Sequence, residues 1–222
     1  METHFLRSLP GKYKNAYRDY YTQQNLLSIR ASCVVFFVIN AVLRFLVWIL
    51  PENLSRADNF PEFNLANWLF IFITPVFYIL NLILIAQYRK RRKADIVMIC
   101  FVFIFSFYII LCGMYTSFIA TSDPRNALTI YLIALCVISV MCVFEYDEAI
   151  MLIILIEAAF SALLLYVRMD GTEMLYNQMI SVIMLAGFYV ISRYFYSYKA
   201  SYYNQIIEIS QKNVEIEKSD GI

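Results

Sequence analysis

Six apolar runs, each close to the length of a membrane span, constrain this chain more than any other feature of its sequence. A helix needs about 20 mainly apolar residues to cross the roughly 30 Å hydrocarbon layer of a bilayer. The runs are Ala31–Leu50, Ala66–Gln87, Ile96–Ala120, Ala127–Phe144, Ala149–Val167 and Met174–Tyr196. With 61% hydrophobic and only 16% charged residues, the chain has the composition of a membrane protein rather than of a soluble domain. We therefore predict an all-α, multi-pass membrane protein with a bundle of six transmembrane helices.

The distribution of Lys and Arg between alternate connections predicts the orientation of the bundle. Basic residues near the ends of spans are retained in the cytoplasm. Fourteen of them lie on the side that holds both termini and the second-to-third connection, whereas three lie in the opposite loops. We therefore expect both termini in the cytoplasm. The outer loops are short, the longest being Pro51–Asn64, so any stimulus from that side is expected to be small, lipidic or physical.

Polar side chains inside the predicted spans are candidates for a sensing site. An ionisable side chain at that depth costs about 2.5–3.5 kcal/mol on insertion scales, so it needs a partner or a water-filled site. The candidates are Arg44 and Asn40 in the first span, Tyr78 and Asn81 in the second, and Glu157 and Ser161 in the fifth. Two interpretations remain open. These groups converge on an outward-opening cavity with Glu157 and Arg44 as its charged walls, or they form a structural ion pair or internal hydrogen bonds that fix the register of the helices.

The sequence gives no indication of catalysis, of a metal site or of a cofactor. The single histidine, His4, precedes every predicted span, and all five cysteines lie inside apolar runs. Neither the Gly-x-Ser-x-Gly elbow of hydrolases nor the His-Glu-x-x-His motif of metalloproteases is present. A net charge of +1 does not favour nucleic acid as a partner. We therefore expect this chain to interact with the lipid bilayer and with a small or lipidic signal.

After the sixth span the sequence changes from continuous apolar residues to a heptad pattern. Apolar residues and one asparagine are spaced by four, three, four and three residues, as in the alternating d and a positions of a coiled coil. These positions are Tyr202, Ile206, Ile209, Asn213 and Ile216. A single Asn at an a position costs stability but fixes a parallel, in-register pair, and Lys212 at g and Glu217 at the following e would meet as opposite charges across that pair. The pattern predicts a homodimer through this helix; an amphipathic helix lying on its own bundle is the alternative.

The end of this helix resembles the start of a known signalling domain. Asp220, Gly221 and Ile222 match the first three positions of the motif Asp-x-Leu-Thr-Gly-Leu-x-Asn-Arg that opens GGDEF diguanylate cyclase domains. A short N-terminal segment, a multi-span bundle with small loops and a coiled helix together resemble the membrane input region of bacterial signalling enzymes. The same layout also precedes histidine kinase and adenylate cyclase modules. The sequence contains no catalytic residue of such an enzyme, so this chain is expected to be its input region and not itself an enzyme.

The resemblance implies a sensory and dimerisation region in the bacterial inner membrane. It would control a cytoplasmic output domain, most simply one that makes cyclic di-GMP, which would follow the present sequence. The chain then divides into a cytoplasmic N-terminal interfacial segment at 1–30, a six-helix transmembrane sensor domain at 31–196 and a cytoplasmic signalling helix at 197–222.

Two other classes of protein compete with this interpretation. Six spans in a chain of this size also resemble the substrate-binding subunits of energy-coupling vitamin transporters, although those need no coiled coil after the sixth span. A membrane enzyme acting on lipids is the third class, and the missing catalytic motifs disfavour it.

Overall fold

The computed structural model describes residues 11–50, 59–118, 128–167 and 171–220, with side chains from residue 14 to residue 213 of these ranges. The described backbone forms six helices and no strand. The helices are α1 (Gly11–Ile49), α2 (Phe60–Arg91), α3 (Ile96–Phe118), α4 (Thr129–Met141), α5 (Tyr146–Val167) and α6 (Gly171–Asp220). The predicted all-α bundle is therefore confirmed.

The surface of the bundle is that of a membrane protein. Five of the described helices are long and apolar enough to cross a bilayer, and α4 is a shorter apolar helix. Large apolar side chains on different helices point outward, including Trp48 at 77% exposure, Phe72 at 66% and Ile183 at 68%. A surface of this kind is stable only against lipid, since in water it would expose a large apolar patch.

Helix α4 is shorter than the predicted span Ala127–Phe144. It has 13 residues and is therefore about 20 Å long. At Cys142 the chain leaves the helix in an extended conformation (φ −108°, ψ 135°), and Val143 and Phe144 remain buried without being helical. Because an extended residue advances the chain by about 3.3 Å, this segment supplies the length that the short helix lacks. Residue 127 lies outside the described residues.

Helices α1 and α2 form an antiparallel pair, the most extensive helix–helix contact of the described residues. Polar side chains connect the two helices at one constant register over most of their length. The connected pairs are Asp19 with Tyr88, Leu26 with Asn81, Asn40 with Asn67, and Arg44 with Asn64. This pairing aligns α1 and α2 because a shift by one helical turn would break all four connections at once.

Helices α3 and α4 pack closely at Gly113. A Cβ atom placed on Gly113 would lie 2.7 Å from the Cβ of Ala134 and 3.1 Å from the carbonyl oxygen of Ile130. Small residues at such positions allow two membrane helices to approach closely. The contact positions α4 in the centre of the bundle, where Tyr131 and Leu135 are almost completely buried.

Helix α6 continues without interruption from the predicted sixth span into the predicted signalling helix. Its 50 residues correspond to about 75 Å, more than twice the thickness of the hydrocarbon layer. Helix α1 likewise joins residues 11–30 to the first predicted span, and Tyr17, Tyr21 and Leu26 of that part are almost fully buried in the bundle. Residues 1–10 of the predicted N-terminal segment lie outside the described residues.

Candidate functional site

Glu157 is the acceptor at the centre of a hydrogen-bond network between α5 and α6. Gln178 Nε2 donates to Oε1 of the carboxylate, and Ser181 Oγ donates to Oε2 at 2.9 Å. The Ser181 hydroxyl also lies 3.3 Å from the Tyr131 hydroxyl, which connects α4 to the network. Ser181 and Tyr131 are fully buried, whereas Glu157 is half-buried. Donors from a neighbouring helix thus stabilise the carboxyl group that the sequence places inside a span.

Ser161 lies one turn from Glu157, as predicted, and belongs to the same network. Its hydroxyl donates to the backbone carbonyl of Glu157 at 2.9 Å and accepts a hydrogen bond from Gln178 Nε2 at 3.0 Å. The other end of the Gln178 amide, Oε1, is buried and has no hydrogen-bond partner among the described residues. The opposite orientation of the amide would bring its oxygen against the Glu157 carboxylate, so the unpaired atom is the amide oxygen.

A groove of about 540 Å³ opens beside this network between α5 and α6. Its walls are apolar apart from the side chains of Glu157, Ser161 and Tyr189. The apolar lining residues are Ile153, Ile154, Ala158, Val182, Leu185 and Ala186. Ile154 and Val182 are 62% and 54% exposed, so the groove opens on the outer surface of the bundle. A molecule would therefore enter it from the lipid phase.

Arg44 lies in a different part of the bundle, between α1 and α2. Its Nη1 and Nη2 atoms donate to Asn64 Oδ1 at 2.7 and 2.6 Å, and its guanidinium lies 4.1 Å from the centre of the Trp68 ring. A cation over an aromatic face gains electrostatic stabilisation, which increases when both groups are removed from water. No ion pair joins Arg44 to Glu157 within the described ranges. The two charged candidates therefore have separate partners on separate helix pairs.

The remaining candidates of the first and second spans form internal contacts. Asn40 donates to the carbonyl of Phe36 at 2.8 Å, and its Oδ1 accepts from Asn67 at 3.1 Å. Asn81 is fully buried and donates to the carbonyl of Leu26, and Tyr78 packs against the hydrophobic core. In this half of the candidate set, the geometry agrees with the interpretation in which polar groups fix helix register.

Sequence analysis missed a junction at the predicted cytoplasmic end of the bundle, where the extended segment after α4 contacts α1. The Asn25 side chain donates to the Val143 carbonyl and accepts from the Val143 N–H, both at 2.8 Å. The buried backbone of a non-helical segment needs such partners, because unpaired polar groups are costly away from water. Asn25 replaces the hydrogen bonds that continued helix would have provided.

Helix α6 contacts the same junction through a fully buried arginine. Arg193 donates to the Phe144 carbonyl at 3.3 Å, and its guanidinium lies 4.2 Å from the centre of the Tyr196 ring. Tyr17 of α1 donates its hydroxyl proton to the Tyr196 carbonyl at 3.0 Å. The position where α6 leaves the bundle is thus fixed from two sides. The charge of Arg193 contributes to the orientation predicted from the sequence, but no sequence pattern predicts that this side chain is buried.

The acidic connection between α4 and α5 belongs to this junction as well. Lys14 Nζ lies 3.3 Å from Glu145 Oε2, and only 8% of the Glu145 side chain is exposed. Glu148 Oε2 accepts from the Glu145 N–H at 2.9 Å, which caps the first turn of α5. Carboxylates are favourable at this position because the N-terminus of a helix carries a partial positive charge.

The predicted coiled-coil face is exposed in the single chain. Tyr202 is 51% exposed, Ile206 41% and Ile209 60%, and Asn213 is also exposed. Lys212 forms an ion pair of 2.9 Å with Glu208, one turn earlier on the same helix. The side chains of Ile216 and Glu217 lie outside the described residues, as do Gly221 and Ile222 of the GGDEF-like motif. Three neighbouring apolar side chains of the heptad, those of Tyr202, Ile206 and Ile209, are thus not buried by any other part of the described chain.

The fold and its sites define a helical, multi-pass membrane protein. No protein family, curated protein or solved structure matches the chain. Within the described residues, no group of three or more His, Cys, Asp and Glu side chains is arranged to hold a metal ion.

Proposed function

We propose that this chain is a transmembrane sensory and dimerisation region of the bacterial inner membrane that controls a cytoplasmic output domain. One observation carries the proposal: a single helix, α6, joins the Glu157 network to the exposed heptad face. Gln178 and Ser181 contact Glu157 in the bundle, and Ile206 and Ile209 lie further along the same uninterrupted helix. A change at the network therefore has a rigid element through which it can reach the output domain.

The groove beside Glu157 is the proposed sensing site. Its apolar walls suit a small, mainly apolar molecule, and the Glu157 carboxylate supplies an acceptor for one polar head group. A ligand that donates to this carboxylate competes with the hydrogen bonds from Gln178 and Ser181. Because both donors belong to α6, the ligand would favour a different position of α6 relative to α5. A ligand shifts a conformational equilibrium only through such differential contacts.

The junction near Arg193 supports a discrete rather than a gradual response. The hydrogen bonds from Arg193 to the Phe144 carbonyl and from Tyr17 to the Tyr196 carbonyl fix α6 where the helix leaves the bundle, so α6 moves only when these contacts rearrange. Packed interfaces of this kind have alternative arrangements and do not deform continuously. The proposed signal therefore passes as a rotation or a shift of the whole helix.

The proposed partner at the exposed heptad face is a second copy of this chain. Pairing of Tyr202, Ile206 and Ile209 across a parallel dimer would cover apolar surface that is exposed in the single chain. Two bundles in one membrane raise the effective concentration of the two helices, which compensates for a short coiled coil. A diguanylate cyclase output fits this arrangement, because two catalytic half-sites must meet around two GTP molecules.

A fusion protein tests the proposal. A competent GGDEF domain is joined after residue 222, and either seven or four residues are inserted before Ile206. A seven-residue insertion preserves the heptad phase, whereas a four-residue insertion rotates the output domain relative to the bundle. We expect cyclic di-GMP synthesis to be restored in the first fusion, which preserves the heptad phase, and not in the second. Equal synthesis in both, at the level of the soluble GGDEF domain alone, would contradict the proposal.

The same experiment discriminates the transport alternative, since a transport subunit imposes no dependence on heptad phase. The proposed orientation is tested separately with cysteine labels at Ser55 and Ser219 in a background without native cysteines. We expect Ser55 to react from outside the cell and Ser219 from inside. External labelling of Ser219 would contradict the proposed topology.

A further inference from the structure

A second pocket, separate from the Glu157 groove, lies between α1 and the connection from α2 to α3. It has a volume of about 420 Å³ and is more polar than the groove. The lining residues are Asn15, Arg18, Asp19, Lys93, Ala94, Ile96 and Ile99. The pocket lies at the predicted cytoplasmic end of the bundle, directly after the basic run 89–93. None of its residues belongs to the candidate sensing set.

Arg18 and Lys93 supply the positive charge of this pocket, and Arg18 also interacts electrostatically with the Glu148 carboxyl group. Arg18 is half-buried and Lys93 is exposed, and neither forms an ion pair with a carboxylate of the described residues. Arg18 Nε is buried and has no hydrogen-bond partner in the same part of the chain. A buried donor without a partner costs free energy, and an anion in the pocket would remove that cost.

The one carboxylate that lines the pocket, that of Asp19, forms a hydrogen bond to the backbone of the pocket wall. Asp19 Oδ1 accepts from the N–H of Ala94 at 2.6 Å, and the Asp19 carbonyl accepts from the Tyr88 hydroxyl at 3.0 Å. Asp19 thereby ties the connection between α2 and α3 to α1. This connection places Lys93 and Arg18 in the wall of one pocket.

Neighbouring structure strengthens the positive field. Helix α3 begins at Ile96 in the pocket wall, so the partial positive charge of its N-terminus adds to that of Arg18 and Lys93. Arg91 is paired with Asp95 at 3.0 Å, whereas Arg89 and Lys90 are exposed further along the same basic run. Clusters of basic residues immediately beside a transmembrane helix are typical of sites for anionic lipids.

The apolar rim indicates the rest of the ligand. Ile96 is 62% exposed and Val97, its neighbour on α3, is 57% exposed.

We propose that this pocket binds a phosphate group, supplied by the head group of an anionic phospholipid or by a soluble phosphate compound, with Arg18 and Lys93 as its ligands. Arg suits phosphate because its planar guanidinium donates two parallel hydrogen bonds, and Lys adds a point charge. The site does not depend on the proposed signalling function.

The test compares two double variants of the purified 222-residue chain that remove the same charge. Arg18→Gln with Lys93→Gln alters the pocket, and Arg89→Gln with Lys90→Gln alters exposed residues of the basic run that do not line it. Native mass spectrometry measures the binding of phosphatidylglycerol against phosphatidylcholine. We expect the wild type and the control variant to prefer phosphatidylglycerol, and the pocket variant to lose at least about tenfold of that preference for each charge-assisted hydrogen bond removed.

Inorganic phosphate distinguishes the source of the anion. Stabilisation against thermal unfolding by inorganic phosphate, lost in the pocket variant, assigns the site to a soluble phosphate compound; stabilisation by phosphatidylglycerol alone assigns it to a lipid. An Arg18→Lys variant retains the charge and controls for folding. An equal loss of the preference for phosphatidylglycerol in both double variants would mean that the basic run attracts anionic lipid only by diffuse electrostatics, and it would overturn the proposal. Absence of any preference in the wild type for either phosphate source would overturn it too.

Discussion

Ser181 donates a hydrogen bond to the carboxylate of Glu157 at 2.9 Å, and this bond connects the first quarter of α6 to the middle of α5. The same carboxylate accepts from Gln178, which lies almost one turn earlier on α6. Glu157 is therefore held by one neighbouring helix at two points. Any change in its charge acts on that helix first.

Double-mutant cycles measure the coupling free energy between Glu157 and each of its possible partners. We expect Glu157→Gln and Ser181→Ala to be non-additive, with a coupling energy of about 0.5–3 kcal/mol, because the two side chains are hydrogen-bonded. Glu157→Gln and Arg44→Gln should be additive within about 0.5 kcal/mol, because Arg44 contacts Asn64 and Trp68 instead. The unfolding free energy in detergent is the measurement. Coupling between Glu157 and Arg44 larger than that between Glu157 and Ser181 would contradict the structure.

A second prediction concerns output. Glu157→Gln should preserve the fold, since a neutral amide is less costly in a membrane than a carboxylate, but it should change cyclic di-GMP synthesis in the phase-preserving fusion. The introduced amide has one acceptor oxygen where the carboxylate has two, so it cannot accept from Gln178 and Ser181 together as the carboxylate does, and we expect the position of α6 to change. Glu173→Gln is the matched control, because Glu173 is an exposed acid at the start of α6. If both variants leave the output unchanged, the network does not control it.

The positions of these polar residues could be predicted from the sequence, but their partners could not. Span boundaries place Glu157 and Ser161 on one face of one helix, and the structure brings them into one network. Arg44 and Glu157 were natural candidates for a pair because they are opposite charges at span depth. Whether Arg44 and Glu157 form a pair depends on which helices are neighbours. The hydropathy of the spans contains no information on that arrangement.

The end of α4 illustrates the same limit in the backbone. An apolar run that continues to Phe144 predicts a helix of that length, yet the helix ends at Met141. The hydrogen bonds that make an extended segment acceptable come from Asn25, which is 118 residues away in the sequence. A local pattern cannot include a partner at that distance.

Asn25→Leu tests this compensation. The substitution removes both hydrogen bonds to Val143 and leaves a buried N–H and a buried carbonyl unpaired, which should destabilise the chain by at least about 2 kcal/mol. Asn25→Asp should also be destabilising, because the carboxylate still accepts from the Val143 N–H but places its second oxygen against the Val143 carbonyl, where the amide of Asn25 donates. Thermal unfolding in detergent is the measurement, with Asn15→Ala as a control at an exposed position of the same helix. An effect of Asn25→Leu no larger than that of Asn15→Ala would show that the segment finds other partners.

Two glycines on apolar helices provide a matched pair for the packing of α3 against α4. Gly113→Ala places a methyl group 2.7 Å from the Cβ of Ala134, so the helices must separate, and we expect a destabilisation of about 1–3 kcal/mol. Gly187→Ala meets no atom within 4 Å and should be neutral or stabilising by up to about 1 kcal/mol, since Ala is the better helix former. The unfolding midpoints of the two variants are compared under one condition. The opposite order of stability would contradict the close contact between α3 and α4.

The last prediction concerns the exposed heptad face of α6. A cysteine introduced at Ile209, in a background that lacks the five native cysteines, should cross-link two chains, because d positions face each other across a parallel pair. Ile206→Asp should reduce this cross-linking by burying two like charges against each other, whereas Asn204→Asp adds the same charge at an exposed position outside the a and d seam and should leave it unchanged. Asn213→Ile should strengthen association but relax its specificity, since Ile at an a position is compatible with several oligomeric states. Equally strong cross-linking at position 209 in the Ile206→Asp and Asn204→Asp variants would mean that α6 pairs through another face, or that the two chains meet only through their membrane bundles.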